Sequence, residues 1–190
     1  MASPQQTSDS VLATPKPVIF PAQTSTYAWP AQSLCDAFYG NPRGKNGSYS
    51  QVWALANLTY IKPPFAMKIA WAPYTPITKI RIHKKCAASL ERVLNDIWQR
   101  AGRDQNKINE WGVNLFGGSF NYRLMRGGSA LSMHSWGCAI DLDPARNGLG
   151  DFTPYLTSDH PVSQAFKKEG WVHGADWRRP DAMHFQAAIA

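Results

Sequence analysis

The sequence has few of the side chains that carry acid–base and metal chemistry. Its 190 residues include five histidines, three cysteines and thirteen acidic residues, only three of which are glutamates. Cys35, Cys86 and Cys138 are odd in number and far apart, which excludes a disulfide framework and a CxxC site. We interpret them as reduced thiols that pack as small hydrophobic groups.

Long apolar runs are also missing. None approaches the roughly 20 residues that span a bilayer, so we expect a soluble protein without a transmembrane segment. The first residues lack the basic and apolar regions of a secretory signal, which predicts synthesis in the cytoplasm. Residues 1–28 are rich in Ser, Thr, Pro and Gln, and predict a flexible arm. Residues 29–190 then form a single domain, which we expect to be monomeric.

The charge balance is basic, with 20 Lys and Arg against 13 Asp and Glu and a net charge of +7. A basic protein favours an anionic partner. No basic run of five or more residues, helix-turn-helix or zinc-finger spacing is present, which disfavours nucleic acid. An acidic cell-wall polymer and an anionic membrane surface remain as partners.

Hydrophobic periodicity predicts an α+β fold. The segments with helical spacing of apolar residues, bounded by Pro or Gly, are 30–40, 84–101 and 160–169. The segments that read as strands between glycine-rich turns are 111–116, 137–143 and 183–189. We expect helices on one side of a small, mostly antiparallel sheet.

One segment, from Ser132 to Asp141, combines a histidine with an aspartate across a glycine turn. In isolation such a pair is more typical of a loop histidine and a strand-end aspartate. Strand alternation, however, points Cys138 into the core and Asp141 to the opposite, cleft-facing side. Cys138 is then core filler, and neither a ligand nor a nucleophile.

A matching group lies near the C-terminus, where Asp181 precedes His184 by three residues. His134, Asp141 and His184 together form a His₂-carboxylate set suited to a tetrahedral zinc with one open position. Asp181 would then act as the general base. Upstream, Arg123 and Arg126 either stabilise a developing oxyanion or clamp a substrate carboxylate, or are surface arginines.

The two motifs SxHxxGxAxD (132–141) and DxMHF (181–185) resemble the signature of the D-alanyl-D-alanine carboxypeptidase and L-alanyl-D-glutamate endopeptidase family. These are zinc peptidases of bacterial cell walls, related in fold to lysostaphin-type and hedgehog-type domains. The resemblance covers 110–187 well. It implies one zinc ion held by His134, Asp141 and His184, with Asp181 as catalytic base.

The resemblance also implies roles in substrate binding. Arg123 matches the arginine that contacts substrate in the family, and Ser132 is expected near the substrate. Two features depart from the pattern. The base is Asp181, where carboxypeptidases of the vancomycin-resistance type usually have glutamate. His173 replaces an aromatic residue in GWVHGADW. We expect it, with Trp177, to contact substrate from the cleft wall; the alternative is a structural role for His173.

The main hypothesis is therefore a zinc-dependent peptidoglycan peptidase, a phage or prophage endolysin that cleaves L-Ala–D-Glu in the stem peptide. It would be made in the host cytoplasm and act on the cell wall after release. Alternatives are a D-alanyl-D-alanine carboxypeptidase with the same metal centre, a non-catalytic wall-binding virion module, and a cysteine peptidase using Cys138.

Overall fold

The computed structural model describes residues 28–189, so the predicted arm over 1–28 lies, except for Ala28, outside the described residues. The helices are α1 (Cys35–Tyr39), α2 (Gln51–Asn57), α3 (Lys84–Arg100), α4 (Gln105–Trp111) and α5 (Pro161–Lys168). The strands are β1 (Leu58–Ile61), β2 (Met67–Ile69), β3 (Pro76–Ile77), β4 (Ile80–His83), β5 (Leu115–Gly118), β6 (Ala139–Leu142), β7 (Val172–Gly174) and β8 (Asp181–Gln186). Short 3₁₀ turns cover Gln32–Leu34 and Met133–Trp136.

Two sheets organise these strands. The larger one has six strands in the order β3-β2-β5-β6-β8-β7, and every pair is antiparallel except β2 with β5. The smaller one is the antiparallel pair β1–β4. The predicted α+β class with a mostly antiparallel sheet is confirmed. In the larger sheet β6 pairs with β8, which sets Asp141 directly opposite His184.

The two helices predicted from the clearest periodicity pack against each other. Helix α3 buries the stripe formed by Leu90, Val93, Leu94 and Ile97 completely. Each of these side chains contributes about 1.5–3 kcal/mol through burial. At the start of α5, Pro161 occupies the first turn, where no backbone N–H is needed. Both helices end within about a residue of the predicted bounds.

Other elements differ from expectation. The run 111–116 is not one strand, because Trp111 ends α4 and β5 begins only at Leu115. Asp104 caps α4, and Gly112 ends it with a φ of 73°, a left-handed conformation that favours glycine. An apolar run is therefore divided between a helix end and a strand. Helices α2 and α4 and the β1–β4 pair were not predicted.

The two ends of the described chain lie side by side. Gln32 N donates to Ile189 O, and Ile189 N donates to Pro30 O, both at 2.8 Å. This short ladder is parallel. Just before this ladder, the Trp29 ring meets the ring of Trp171, which follows α5, edge-on with the ring centroids 6.0 Å apart. Within 28–189, no helix has both the length and the apolar character needed to cross a membrane.

Candidate functional site

Three potential ligand atoms converge where β6 meets β8. His134 Nε2 lies 3.1 Å from Asp141 Oδ1 and 3.1 Å from His184 Nδ1, and the last two atoms are 2.9 Å apart. Ligand atoms bound about 2.1 Å from one tetrahedral zinc lie about 3.4 Å from one another. The three side chains could therefore hold one metal ion with little movement.

The outer hydrogen bonds decide which ring nitrogens carry protons. His134 Nδ1 donates to the carbonyl of Ser119 at 2.6 Å. His184 Nε2 donates to Gln186 Oε1 at 3.1 Å, and the amide of Gln186 is oriented by its own donation to Ala188 O at 2.8 Å. In the neutral rings, the inner nitrogens therefore present lone pairs. Two lone pairs and a carboxylate that face one another form a donor set that fits a divalent cation.

Electrostatics within the cluster favour an ionised carboxylate. Burial raises the pKa of Asp141, but the hydrogen bonds and charges of His134 and His184 outweigh it and hold this pKa below its ordinary value. Burial likewise lowers the pKa of His184, whereas the bond to Asp141 and its charge raise it above the usual range. Protons and a metal ion therefore compete for the same three atoms.

Asp181 is the first residue of β8, three positions before His184. Burial, reinforced by the charge of Asp141, raises its pKa above the ordinary value despite the opposing charge of His184. Its Oδ1 is buried without a hydrogen-bond partner among residues 28–189. A carboxylate with a raised pKa and a free oxygen is suited to accept and return a proton.

Two glycines allow the strands that carry these carboxylates to approach their neighbours. A Cβ on Gly117 would lie 2.9 Å from the Cβ of Asp141, closer than real Cβ contacts. A Cβ on Gly174 would collide with the backbone oxygen of Asp181. Both positions require glycine because of the close backbone approach.

The cluster forms the floor of a cleft with two lobes. The first lobe, about 360 Å³, is lined by Asp141, Asp181 and His184, together with Gln32 and Met125. The second lobe, about 440 Å³, extends past the other side of the cluster. Asp141 lines both lobes, so the candidate metal centre lies between them.

The two predicted arginines line both lobes. Arg123 donates from its guanidinium to Leu124 O at 3.1 Å, and Arg126 lies close enough for its charge to oppose the rise in the pKa of Asp181. Ser132 lines the first lobe, and its backbone N–H donates to Arg123 O at 3.0 Å. The predicted substrate-binding residues at 123, 126 and 132 therefore lie at the cleft.

His173 and Trp177 have different positions. Trp177 lines the first lobe with its ring 5.5 Å from that of His184. His173 lines neither lobe: it is 1% exposed, stacks on Phe185 at 4.2 Å and donates to Ala182 O at 2.8 Å. Burial lowers its pKa to about 4. This position does not support the predicted contact between His173 and substrate.

Cys138 is fully buried and donates to Met133 O at 3.3 Å. Burial raises the pKa of its thiol well above the ordinary value. Cys35 and Cys86 are buried as well. The interpretation of Cys138 as core filler agrees with this position, and a cysteine peptidase would lack an accessible thiolate here.

Several residues of the candidate site were not predicted from the sequence. Gln186 lies two residues after His184 on the same strand, so strand alternation could have placed it on the same face. Ser119 contributes a backbone carbonyl, for which no sequence signal exists. Trp71 reaches the second lobe from the loop between β2 and β3, and Arg179 lines the first.

Comparison with known families gives one match. Residues 126–187 match the family model described as D-alanyl-D-alanine carboxypeptidase. The matched span includes His134, Asp141, Asp181 and His184, and covers about a third of the chain. No curated protein and no solved structure matches the chain significantly.

Proposed function

We propose that the protein is a zinc-dependent peptidase of the peptidoglycan stem peptide, and specifically an endopeptidase of the endolysin type that cleaves the L-Ala–D-Glu bond. The family match over 126–187 supports a peptidase that acts on peptidoglycan. We further propose that the protein is made in the host cytoplasm and acts on the cell wall after release.

A single observation carries the proposal. Three potential ligand atoms, on His134, Asp141 and His184, converge within 3.1 Å of one another in a cleft beside Asp181, an acidic residue with a raised pKa. A zinc ion bound there would polarise an amide carbonyl and lower the pKa of a water molecule to about 7. The donor set and the adjacent base are those of a hydrolytic site.

The chain's own residues supply the remaining chemistry. Asp181 accepts a proton from the attacking water at its carboxylate and returns it to the nitrogen of the departing amine. Arg123 and Arg126, which line both lobes, carry the positive charge that binds the substrate and opposes negative charge on the carbonyl oxygen. The ring of Trp177 closes one side of the first lobe.

The two-lobed cleft favours cleavage inside a peptide. An endopeptidase must accommodate substrate on both sides of the scissile bond, whereas a carboxypeptidase needs room for one terminal residue beyond it. Here the lobes of about 360 and 440 Å³ lie on either side of Asp141. Trp71, half exposed in the second lobe, offers an aromatic face to the part of the substrate bound there.

The alternative is a D-alanyl-D-alanine carboxypeptidase with the same metal centre, which the description of the matching family favours. The two arginines of the cleft suit this alternative too, because a guanidinium binds a terminal carboxylate by paired hydrogen bonds. The two activities share the roles of Asp181 and the three ligands. They differ in which peptide bond of the substrate lies beside the proposed metal ion when the substrate is bound in the cleft.

Mass spectrometry of muropeptides after digestion of purified peptidoglycan tests the proposal. We expect stem peptides that begin at D-Glu, with L-Ala left on the glycan, and complete loss of this activity on chelation with recovery on zinc addition. Loss of terminal D-Ala alone would establish the carboxypeptidase instead. Unchanged muropeptides with intact wall binding would establish a non-catalytic module.

His184→Ala serves as the matched inactive variant. It removes one of the three proposed ligands and leaves the base Asp181 in place. Because the ligand is missing, both metal binding and hydrolysis should be lost. Retention of stoichiometric metal in His184→Ala would contradict the assignment of the ligands.

A further inference from the structure

The positive charge of the protein comes from one stretch of the chain. Residues 37–90 contain eight Lys and Arg and no Asp or Glu, whereas the rest of the chain has twelve Lys and Arg against thirteen acidic residues. The net charge of +7 therefore originates in this stretch. It forms α2, the strands β1–β4 and the first turn of α3.

Most of these charges are not neutralised. Among the eight Lys and Arg of this stretch, only Arg43 forms an ion pair within residues 28–189. Its partner is Asp36, at 2.6 Å. Lys84 and Lys85 donate to backbone carbonyls, at 2.6 and 2.5 Å, and not to carboxylates. Elsewhere among residues 28–189, six Lys and Arg side chains form ion pairs with acidic residues, as Arg146 does with Asp143.

The fold brings much of this stretch onto one surface. Helix α2 leads directly into β1, and β1 pairs with β4, where Tyr60 lies opposite Arg81. Lys79 Nζ lies 4.4 Å above the Tyr60 ring, and Lys84, at the start of α3, bonds to the last turn of α2. We name this surface the α2–β4 face. We define it by position in the fold, as side chains of α2, of the β1–β4 pair and of the residues that flank this pair: Val52, Leu55, Tyr60, Lys62, Lys79, Arg81 and Lys84.

The α2–β4 face also exposes large apolar side chains. Val52 and Leu55 are 78% and 79% exposed, more than any other large hydrophobic residue between 28 and 189. Their spacing of three places them on the same side of α2, whereas Trp53 and Ala54 are buried against the domain. Tyr60 is about half exposed. Neighbouring apolar and unpaired cationic groups mark an interaction surface.

We propose that the α2–β4 face binds the surface of an anionic phospholipid bilayer. The lysines contact lipid phosphates, Val52 and Leu55 enter the boundary between headgroups and acyl chains, and Tyr60 lies at headgroup level. A soluble polyanion would satisfy the lysines alone, because it offers no apolar phase for Val52 and Leu55. The exposed apolar pair therefore favours a lipid surface.

This inference does not rest on the proposed peptidase activity. No member of the α2–β4 face lines either lobe of the cleft. Binding to a bilayer and hydrolysis of peptidoglycan can thus be measured separately, and either can fail alone.

Co-sedimentation of the full chain with phospholipid vesicles tests the proposal. We expect binding to vesicles that contain phosphatidylglycerol, weak binding to pure phosphatidylcholine, and a steep loss with salt. Lys62→Gln with Lys79→Gln should weaken binding about thirtyfold, from two fewer cations at the surface. Val52→Ser with Leu55→Ser should weaken it about tenfold.

Matched controls remove equivalent groups elsewhere. Phe152→Ser removes an apolar side chain that is 75% exposed on a loop outside this face, and Arg103→Gln with Arg178→Gln removes two exposed charges. Both controls should leave vesicle binding unchanged, and all variants should keep the thermal unfolding of the parent. Two results would overturn the proposal. One is vesicle binding that does not change in the Val52→Ser, Leu55→Ser variant, and the other is tighter binding to soluble poly(glycerol phosphate) or DNA than to vesicles.

Discussion

Gln186 lies outside the candidate metal centre but orients a proton on one of its residues, His184. Its Oε1 accepts from His184 Nε2 at 3.1 Å, and this bond reserves Nδ1 for a ligand role. Gln186 is 1% exposed, so water cannot readily replace it. Gln186→Leu keeps the volume and removes the acceptor. The Nε2 proton is then either buried unpaired, at a cost of about 1–3 kcal/mol, or it moves to Nδ1 and blocks the ligand.

Both outcomes weaken metal binding. Loss of an outer hydrogen bond to a metal-binding histidine typically lowers affinity about 10–100-fold, equivalent to about 1.4–2.7 kcal/mol. Competition with a chromophoric zinc chelator at constant neutral pH measures the change. Gln186→Glu is the matched control, because a carboxylate still accepts from Nε2 and should preserve or increase the affinity.

Nitrogen NMR of the His184 ring provides a second measurement, because the two tautomers have distinct couplings. We expect the Nε2–H form in the parent protein and in Gln186→Glu, and a shift towards Nδ1–H in metal-free Gln186→Leu. Unchanged zinc affinity in Gln186→Leu, with the Nε2–H tautomer retained, would refute the role assigned to Gln186.

Three further predictions concern the base, a glycine and acid stability. Asp181→Ala should keep stoichiometric metal but lower kcat about 10²–10⁴-fold in hydrolysis assays; loss of the metal would show that Asp181 is a ligand. Gly117→Ala, whose Cβ would lie 2.9 Å from the Cβ of Asp141, should cost about 1–3 kcal/mol in urea unfolding and weaken metal binding. Burial lowers the pKa of His83 to about 4, and its Nδ1 already accepts from Lys85 N, so a proton there removes this bond. Because the folded pKa of His83 lies below its unfolded value of about 6.5, protonation of His83 should lower the free energy of unfolding by up to about 3 kcal/mol as pH falls from 6.5 to 4. His83→Gln should make the free energy of unfolding less dependent on pH in this range, and an equal dependence in both proteins would contradict the prediction.

The convergence of His134, Asp141 and His184 could be predicted because its signals are local. The alternation within 138–142 set Asp141 apart from the buried Cys138, Ile140 and Leu142, and the structure shows this arrangement. The pairing of Asp141 with His184 then follows from an antiparallel ladder. Short-range order in two strands was therefore sufficient to suggest that Asp141 and His184 face each other, whereas His134 joins them from the turn Met133–Trp136.

The rest of the cleft depends on contacts that the sequence does not encode locally. Strands β2 and β3 have three and two residues, too few to show a period of two. Their addition to the sheet beside β5 brings Trp71 to the second lobe. The Ser119 carbonyl is a backbone group that every residue has, so only the tertiary fold distinguishes it. His173 was misplaced because its neighbourhood in sequence suggested a cleft wall, whereas β7 turns its ring onto Phe185.

The parallel ladder between Ala31 and Ile189 affects how the protein can be immobilised or fused. The two segments run in the same direction, with Trp29 beside Trp171 and Ile189 beside Gln32, which lies on the wall of the first lobe. We therefore expect a reporter or surface anchor on the side of Trp29 to hinder digestion of polymeric peptidoglycan, the proposed substrate, less than the same group on the side of Ile189. A short peptide substrate should be less sensitive to the position of the attached group, because it needs less space around the cleft.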